Sequence, residues 1–269
     1  HAYRNENVMD PYKILEPTCI SFSGGRTSAY MLYKVLESGG GQLPDEAIVC
    51  FANTGKEDEA TLKFVHDCET NWNVKIHWLE FMPKSFVEVD YQTASRNGEP
   101  FERLINMKNY LPNPVARFCT EELKVKTIDK FLESKGIEAG MMVGIRADEP
   151  RRLPKLRARG LSVPLADAGV RQNDVQSFWK QQPFDLGLIF RDGVTALGNC
   201  DLCFLKGPHQ IMGLIKDKPE RAIWWAKQEE KIGATFRSDR PQYGQMMQFM
   251  TDQADMFNTD GTISCFCGD

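Results

Sequence analysis

Six consecutive residues without a polar side chain, Ala47–Ala52 (AIVCFA), constrain this fold more than any other stretch. An apolar run of that length, ending at Asn53-Thr54-Gly55, reads as a β-strand covered on both faces, and such strands belong to parallel sheets. Similar short runs recur at Thr18–Ser23 (TCISFS), Lys75–Phe81 (KIHWLEF) and Met141–Ile145. Between them lie segments with helical apolar spacing: Thr27–Glu37, Glu57 to about Trp72, and Glu121–Lys135. Alternation of β and α units predicts an α/β fold, a doubly wound and mostly parallel sheet with helices on both faces. Gly160–Leu165 is a further strand candidate. Residues 82–118 read as irregular, with a small helix near Phe101–Asn109. Beyond Asp174–Lys180 (DVQSFWK), the chain reads as mainly helical through His209–Lys216, Pro219–Lys231 and Gly244–Met256. The expected organisation is an N-terminal segment (1–16), a nucleotide-binding α/β domain (17–205) and a helical, cysteine-bearing C-terminal extension (206–269).

Composition excludes several classes. The chain has 269 residues, 42% of them hydrophobic, and a formal net charge of −4, so no wholesale coating of nucleic acid or adhesion to membrane is expected. A polyanion needs a local patch. No apolar run approaches bilayer length, and the first sixteen residues carry no apolar secretory core, so a cytoplasmic protein with no membrane partner is expected. Eight cysteines are too few for a disulfide scaffold of this length. Four of them fall in two tight pairs, Cys200/Cys203 and Cys265/Cys267, a grouping that reads as metal or redox chemistry in a cytosolic chain.

Where the first strand hands over to the first helix stands Ser23-Gly24-Gly25-Arg26-Thr27-Ser28. Paired glycines let backbone N–H groups approach an anion closely, and the start of a helix adds its positive end. Ser23, Thr27 and Ser28 add hydroxyl donors and Arg26 a charge. In a doubly wound sheet this point lies at the carboxyl ends of the strands, where ligands bind. A plain capped turn is the bland alternative. Neither GxxxxGK[ST] nor GxGxxG occurs.

SFSGGRTS after a first strand resembles the PP-loop of the adenine-nucleotide α-hydrolase superfamily, whose common form is SGGxDS. Three further blocks follow in that superfamily's order. FANTGKEDEATLKFV (51–65) resembles the second-strand block of its phosphoadenylyl-sulfate (PAPS) reductase-like branch. Val143–Glu149 with Arg151 and Arg152 resembles the G-x-R…R motif, and Pro164-Leu165…Asp174-Val175…Phe178-Trp179 the PL…DV block. The resemblance covers roughly residues 17–205 and includes similarity to the ATP pyrophosphatase of DNA phosphorothioation. It implies an adenine nucleotide with its phosphates on Ser23, Gly24, Gly25, Arg26, Thr27 and Ser28, and its adenosine near Asn53, Thr54 and Gly55. Gly144, Arg146, Arg151 and Arg152 are then expected at the phosphates or the acceptor, with Arg146 catalytic. Thr27 replaces the acid of the common form, which bears on any Mg²⁺ accompanying the nucleotide.

The intact Ser-Gly-Gly favours room for a triphosphate. The implied reaction is cleavage of ATP to AMP and pyrophosphate, activating an acceptor, by resemblance a nucleic acid, for sulfur insertion. Cys119, Cys200 and Cys203 resemble the ligand pattern of the family's iron–sulfur members, with Cys265 or else Cys267 as fourth ligand of a [4Fe–4S] cluster; where Cys265 ligates, Cys267 is left as a catalytic sulfur carrier. A cysteine desulfurase or another sulfur donor is the implied partner. A structural Zn²⁺, exchangeable disulfides or a persulfide relay, and unrelated buried thiols are the other readings of these cysteines. Two other functions compete: a PAPS or adenylyl-sulfate reductase releasing sulfite through a C-terminal cysteine, and a non-catalytic nucleotide sensor or adaptor. The basic run Arg146–Arg159 reads either as a solvated loop or as a binding surface for phosphate or a nucleic-acid backbone.

Overall fold

The computed structural model describes residues 9–191 and 194–259. Its centre is a five-stranded sheet: β1 (Thr18–Ser21), β2 (Ala47–Asn53), β3 (Ile76–Met82), β4 (Ser85–Val89) and β5 (Gly140–Val143), in the order β4-β3-β2-β1-β5. β1, β2, β3 and β5 are parallel, and β4 closes the edge as an antiparallel hairpin on β3. The sheet is therefore mostly parallel, as the apolar runs predict.

Alternating strand residues feed two layers. Ile20, Phe22, Val49, Phe51, Ile76, Trp78 and Met142 pack with α1 (Arg26–Ser38) and α2 (Glu59–Asn71) on one face. Cys19, Cys50, Ala52 and Leu79 pack on the other face with Ile128, Phe131 and Leu132. Those three residues lie on the helix Lys126–Ser134. Cys19, Cys50 and Cys68 are buried, in keeping with core positions.

Sequence expectations change at three places, the first two in or beside the sheet. The hairpin strand β4 falls inside the stretch read as irregular; Met82 pairs with Ser85 across a turn in which Lys84 takes φ +61°. Gly160–Leu165 does not form a strand: Ser162 makes one isolated bridge to Met142, and a helix begins at Pro164. The fixed φ of proline suits a first helical turn and removes the donor a strand needs.

In chain order, α3 (Glu99–Lys108) follows β4. The segment expected as one helix from Glu121 is two pieces, a π-helical turn Glu121–Val125 and α5 (Lys126–Ser134), preceded by a short turn α4 (Phe118–Thr120). Thr127 Oγ1 donates to the Glu122 carbonyl at 2.8 Å, five residues back, within this wider turn. Three short helices follow β5: α6 (Leu153–Ala158), α7 (Pro164–Asp167) and α8 (Gln172–Trp179). After the small hairpin β6 (Phe190–Arg191) and β7 (Val194–Thr195) come α9 (Pro208–Asp217), α10 (Arg221–Ile232) and α11 (Tyr243–Thr259). These last helices share a core with α3 and the end of β3, built on Phe81, Phe101, Ile211, Trp225, Phe236 and Tyr243. Among the described residues no helix is long and apolar enough to cross a membrane.

Candidate functional site

The carboxyl ends of β1 and β5 open into a cavity of about 630 Å³, within the range of small-molecule sites. Ser23, Gly24, Gly25, Arg26, Thr27 and Ser28 form one wall, and Gly144, Arg146, Glu149 and Arg152 another. Thus nine of the sequence-predicted nucleotide residues lie around one space: the six of the loop together with Gly144, Arg146 and Arg152.

The loop geometry follows from its glycines. Gly24 sits at φ +77°, a region costly for L side chains, and an added Cβ would stand 2.7 Å from Thr61 Cγ2. Gly25 is extended and precedes α1 without offering a side-chain cap. The first helical bond is Ala29 N–H to the Gly25 carbonyl, 3.0 Å. Among the described residues, the backbone N–H groups of Arg26, Thr27 and Ser28 have no acceptor, and α1 carries no acid in its first turn. Three donors and the positive end of a thirteen-residue helix therefore face the cavity. Ser28 ties the loop together: its hydroxyl donates to the Gly25 carbonyl (3.0 Å), accepts from the Ser23 N–H (3.1 Å) and meets Ser23 Oγ at 2.9 Å. Gly144 permits β5 to approach, since a Cβ there would lie 3.0 Å from Ser28 Cα.

The cavity cations are not equally free. Arg26 makes a bidentate pair with Asp185, 2.6 and 2.8 Å, and its carbonyl accepts from Trp179 Nε1 at 3.0 Å. Arg146 donates to Asp148 (2.8 Å) and to Thr27 Oγ1 (3.2 Å), and lies 3.6 Å from Glu149. Burial opposes ionisation of Asp148, but the Gln172 N–H and the Arg146 guanidinium hold its carboxyl below the ordinary range. Arg152 pairs with Glu149 at 2.8 Å. Lys180, at the end of α8, lines the cavity with no ion pair among the described residues. Sequence reading missed Lys180 and Asp185; the DVQSFWK segment ends on the lysine, but its aim is set by tertiary packing.

Asn53, Thr54, Gly55 and Arg151 do not line this cavity. Asn53 is fully buried and donates to Glu80 Oε1 (2.7 Å) and the Ser95 carbonyl (2.9 Å). Thr54 donates through its N–H and Oγ1 to Glu57 Oε2, at 2.9 and 2.8 Å. Their polar groups hold the turn after β2, and Arg151 is exposed.

That turn contacts the cysteine loop. Thr54 Oγ1 lies 3.5 Å from Cys200 Sγ, and Glu57 bridges to Cys200 through the backbone. Lys56 pairs with Asp201 at 3.1 Å in a buried setting, and Asp201 also accepts from Trp225 Nε1 at 2.9 Å. Lys206 donates to the carbonyls of Gly198 (2.7 Å) and Cys200 (2.6 Å), and burial pushes its ammonium down. Burial, then Glu57 and Cys203, push the Cys200 thiol up; burial and Cys203 do the same for Cys119. Cys119, Cys200 and Cys203 thus share a neighbourhood. Among the described residues, however, no three His, Cys, Asp or Glu side chains are arranged to hold a metal ion. Three of the expected cluster ligands, Cys119, Cys200 and Cys203, lie in that neighbourhood, and the fourth, Cys265, lies outside the described residues, as does Cys267. Gly198 and Asn199, which precede Cys200, do line the nucleotide-sized cavity, with Asn199 at φ +61°.

No family model matches the chain. Among solved structures it is similar to the U34-tRNA thiolase NcsA from Methanococcus maripaludis with its [4Fe-4S] cluster, with 13% identity, TM-score 0.41, and coverage of 94% of this chain and 76% of that one. It is also similar to NMN synthetase from Francisella tularensis, with 10% identity, TM-score 0.41, and coverage of 93% and 90%. Superpositions this loose carry no argument about activity. By sequence it is 31% identical over 160 residues to the uncharacterized protein MJ0066 of Methanocaldococcus jannaschii, covering 54% of this chain and 28% of that protein. It is 33% identical over 212 residues to the uncharacterized nin region protein ORF290 of Escherichia phage lambda, covering 74% of this chain and 69% of the phage protein. At that identity and coverage, the chain belongs to the family of the lambda nin region protein ORF290.

Proposed function

We propose that the protein is a PP-loop enzyme that binds ATP in the Ser23–Ser28 cavity and cleaves it between the α and β phosphates. One observation carries this reading: the unfilled N–H donors at the start of α1 and the glycine pair that exposes them open into a space of nucleotide size beside Arg146 and Lys180. The order of the four sequence blocks supports an adenine nucleotide rather than another anion.

In this reading, an oxygen of the acceptor attacks the α-phosphorus, the α–β bond breaks, and pyrophosphate leaves with the electron pair. The protein's part is positioning and charge neutralisation. The N–H groups of Arg26, Thr27 and Ser28 hold the departing phosphates, and Lys180 supplies a positive charge that has no ion pair among the described residues. Arg146, held by Asp148 and Thr27, points a guanidinium at the transferring group. The adenylated acceptor then loses AMP to a sulfur nucleophile delivered by a sulfur-donor partner. Cys200 and Cys203, which follow the cavity wall at Asn199, are the proposed thiols for handling that sulfur. A nucleic-acid acceptor is part of the proposal. No step passes through a metal cluster.

The test is product analysis with ATP labelled at the α-phosphate and with PAPS. AMP and pyrophosphate from ATP support the reading. Thiol-dependent sulfite from PAPS overturns it in favour of a reductase. Tight nucleotide binding without turnover, across acceptor and donor mixtures, overturns it in favour of a sensor.

A further inference from the structure

The segment leaving the cavity wall reverses the charge of the chain. Arg151, Arg152, Lys155, Arg157 and Arg159 are all exposed within nine residues of a protein whose net charge is −4. Leu153 and Leu156 of α6 are half-buried, whereas Arg151, Arg152, Lys155 and Arg159, on α6 and the turns that flank it, are exposed. The acids around them leave charge over. Glu149 pairs with Arg152 and Asp167 with Arg157, at 2.8 and 2.6 Å, and Asp129 faces Arg159. Arg151 and Lys155 have no ion pair among the described residues. Arg152 also lines the cavity, so the strip starts at its mouth.

We infer that this strip is a docking surface for a nucleic-acid backbone, laid so that the strand passes the mouth of the nucleotide cavity. The inference rests on the reading that the cavity activates an acceptor. Arg151, Lys155 and Arg159 recur at every fourth residue through α6 and its flanking turns, so the three cations can meet several phosphates of one strand. Guanidinium groups match phosphate oxygens two at a time. The strip exposes no large apolar side chain of the kind that anchors a membrane-surface helix.

The experiment is fluorescence anisotropy of labelled single-stranded and duplex oligonucleotides with the intact protein across a salt series, repeated with R151A/K155A/R159A. Removing three phosphate contacts should lower the log–log salt slope by about 2 on a single strand and about 3 on a duplex. The lysine variant R151K/R159K should keep the slope. ATP affinity should stay within twofold of wild type in both variants, because none of the three residues lines the cavity. An unchanged slope in the alanine variant overturns the inference. So does wild-type protein that ignores oligonucleotides at low salt, or that binds polyglutamate equally well. Protein that binds ATP but no oligonucleotide defeats this surface and leaves the ATP site standing; protein that binds oligonucleotide but no ATP does the reverse.

Discussion

Neighbouring glycines in the loop should fail in opposite ways. At Gly24 an alanine must adopt φ +77° and bring its Cβ to 2.7 Å from Thr61 Cγ2, 3.2 Å from Phe51 Cε2 and 3.3 Å from Val65 Cγ2. The left-handed backbone costs about 1–2 kcal/mol and the overpacking about 1–3 kcal/mol. Thr61, Phe51 and Val65 are all buried, so there is little room for relief. Gly24→Ala should therefore lose about 2–5 kcal/mol, enough to lower Tm by roughly 4–20 °C in a chain of this size. At Gly25 the backbone is extended, and the nearest atom to an added Cβ is Ser23 Oγ at 3.7 Å. Gly25→Val replaces a good N-cap by a poor one, which costs about 0.5–2 kcal/mol and lowers Tm by no more than about 8 °C. Its branched side chain enters the space in front of the α1 N–H groups. Losing one or two charge-assisted hydrogen bonds, about 1.5–3 kcal/mol each, weakens ATP binding by about 10- to 10⁴-fold. Thermal melts and isothermal titration with a non-hydrolysable ATP analogue measure both effects. A stable Gly24→Ala protein refutes the packing argument, and a folded Gly25→Val protein with wild-type affinity removes the loop from the site.

Three further outcomes follow from the charges around the cavity. Lys180→Ala should weaken ATP about tenfold and reduce the salt dependence of binding, with Lys180→Arg close to wild type; equal affinities for all three would show that the lysine does not reach phosphate. Asp185→Asn removes an anion from the cavity wall and frees Arg26, so titration at low salt should show at least threefold tighter ATP. Weaker binding in Asp185→Asn would instead mean that the bidentate pair is needed to shape the loop. Cys200→Ser should leave ATP affinity within twofold, because Cys200 faces Thr54 rather than the cavity; a larger loss, read by the same titration, would place the thiol at the nucleotide.

What could be read in advance was local. The apolar run at Ala47–Ala52 implies a strand buried on both faces, and Ser23–Ser28 marks the helix start, because both signals are properties of adjacent residues. β4 escaped because Ser85–Val89 is mostly exposed edge strand and its turn, with Lys84 at φ +61°, uses no Asn-Gly or Gly-Gly pair. Gly160–Leu165 has strand-like composition, yet Pro164 at a helix start leaves only the Ser162 bridge. The Arg26–Asp185 pair joins residues 159 apart, and no sequence periodicity registers such a partner. The partners of Asn53 and Thr54, the buried side chains of Glu80 and Glu57, could not be read from the linear pattern: Glu80 lies 27 residues away, on another strand.

The central claim is that phosphates sit at the start of α1. A crystal structure of the protein with a non-hydrolysable ATP analogue tests it most directly. The account predicts β- and γ-phosphate oxygens within hydrogen-bond distance of the backbone N–H groups of Arg26, Thr27 and Ser28, with Lys180 turned toward them. Nucleotide bound elsewhere, with those N–H groups facing only water, would contradict it.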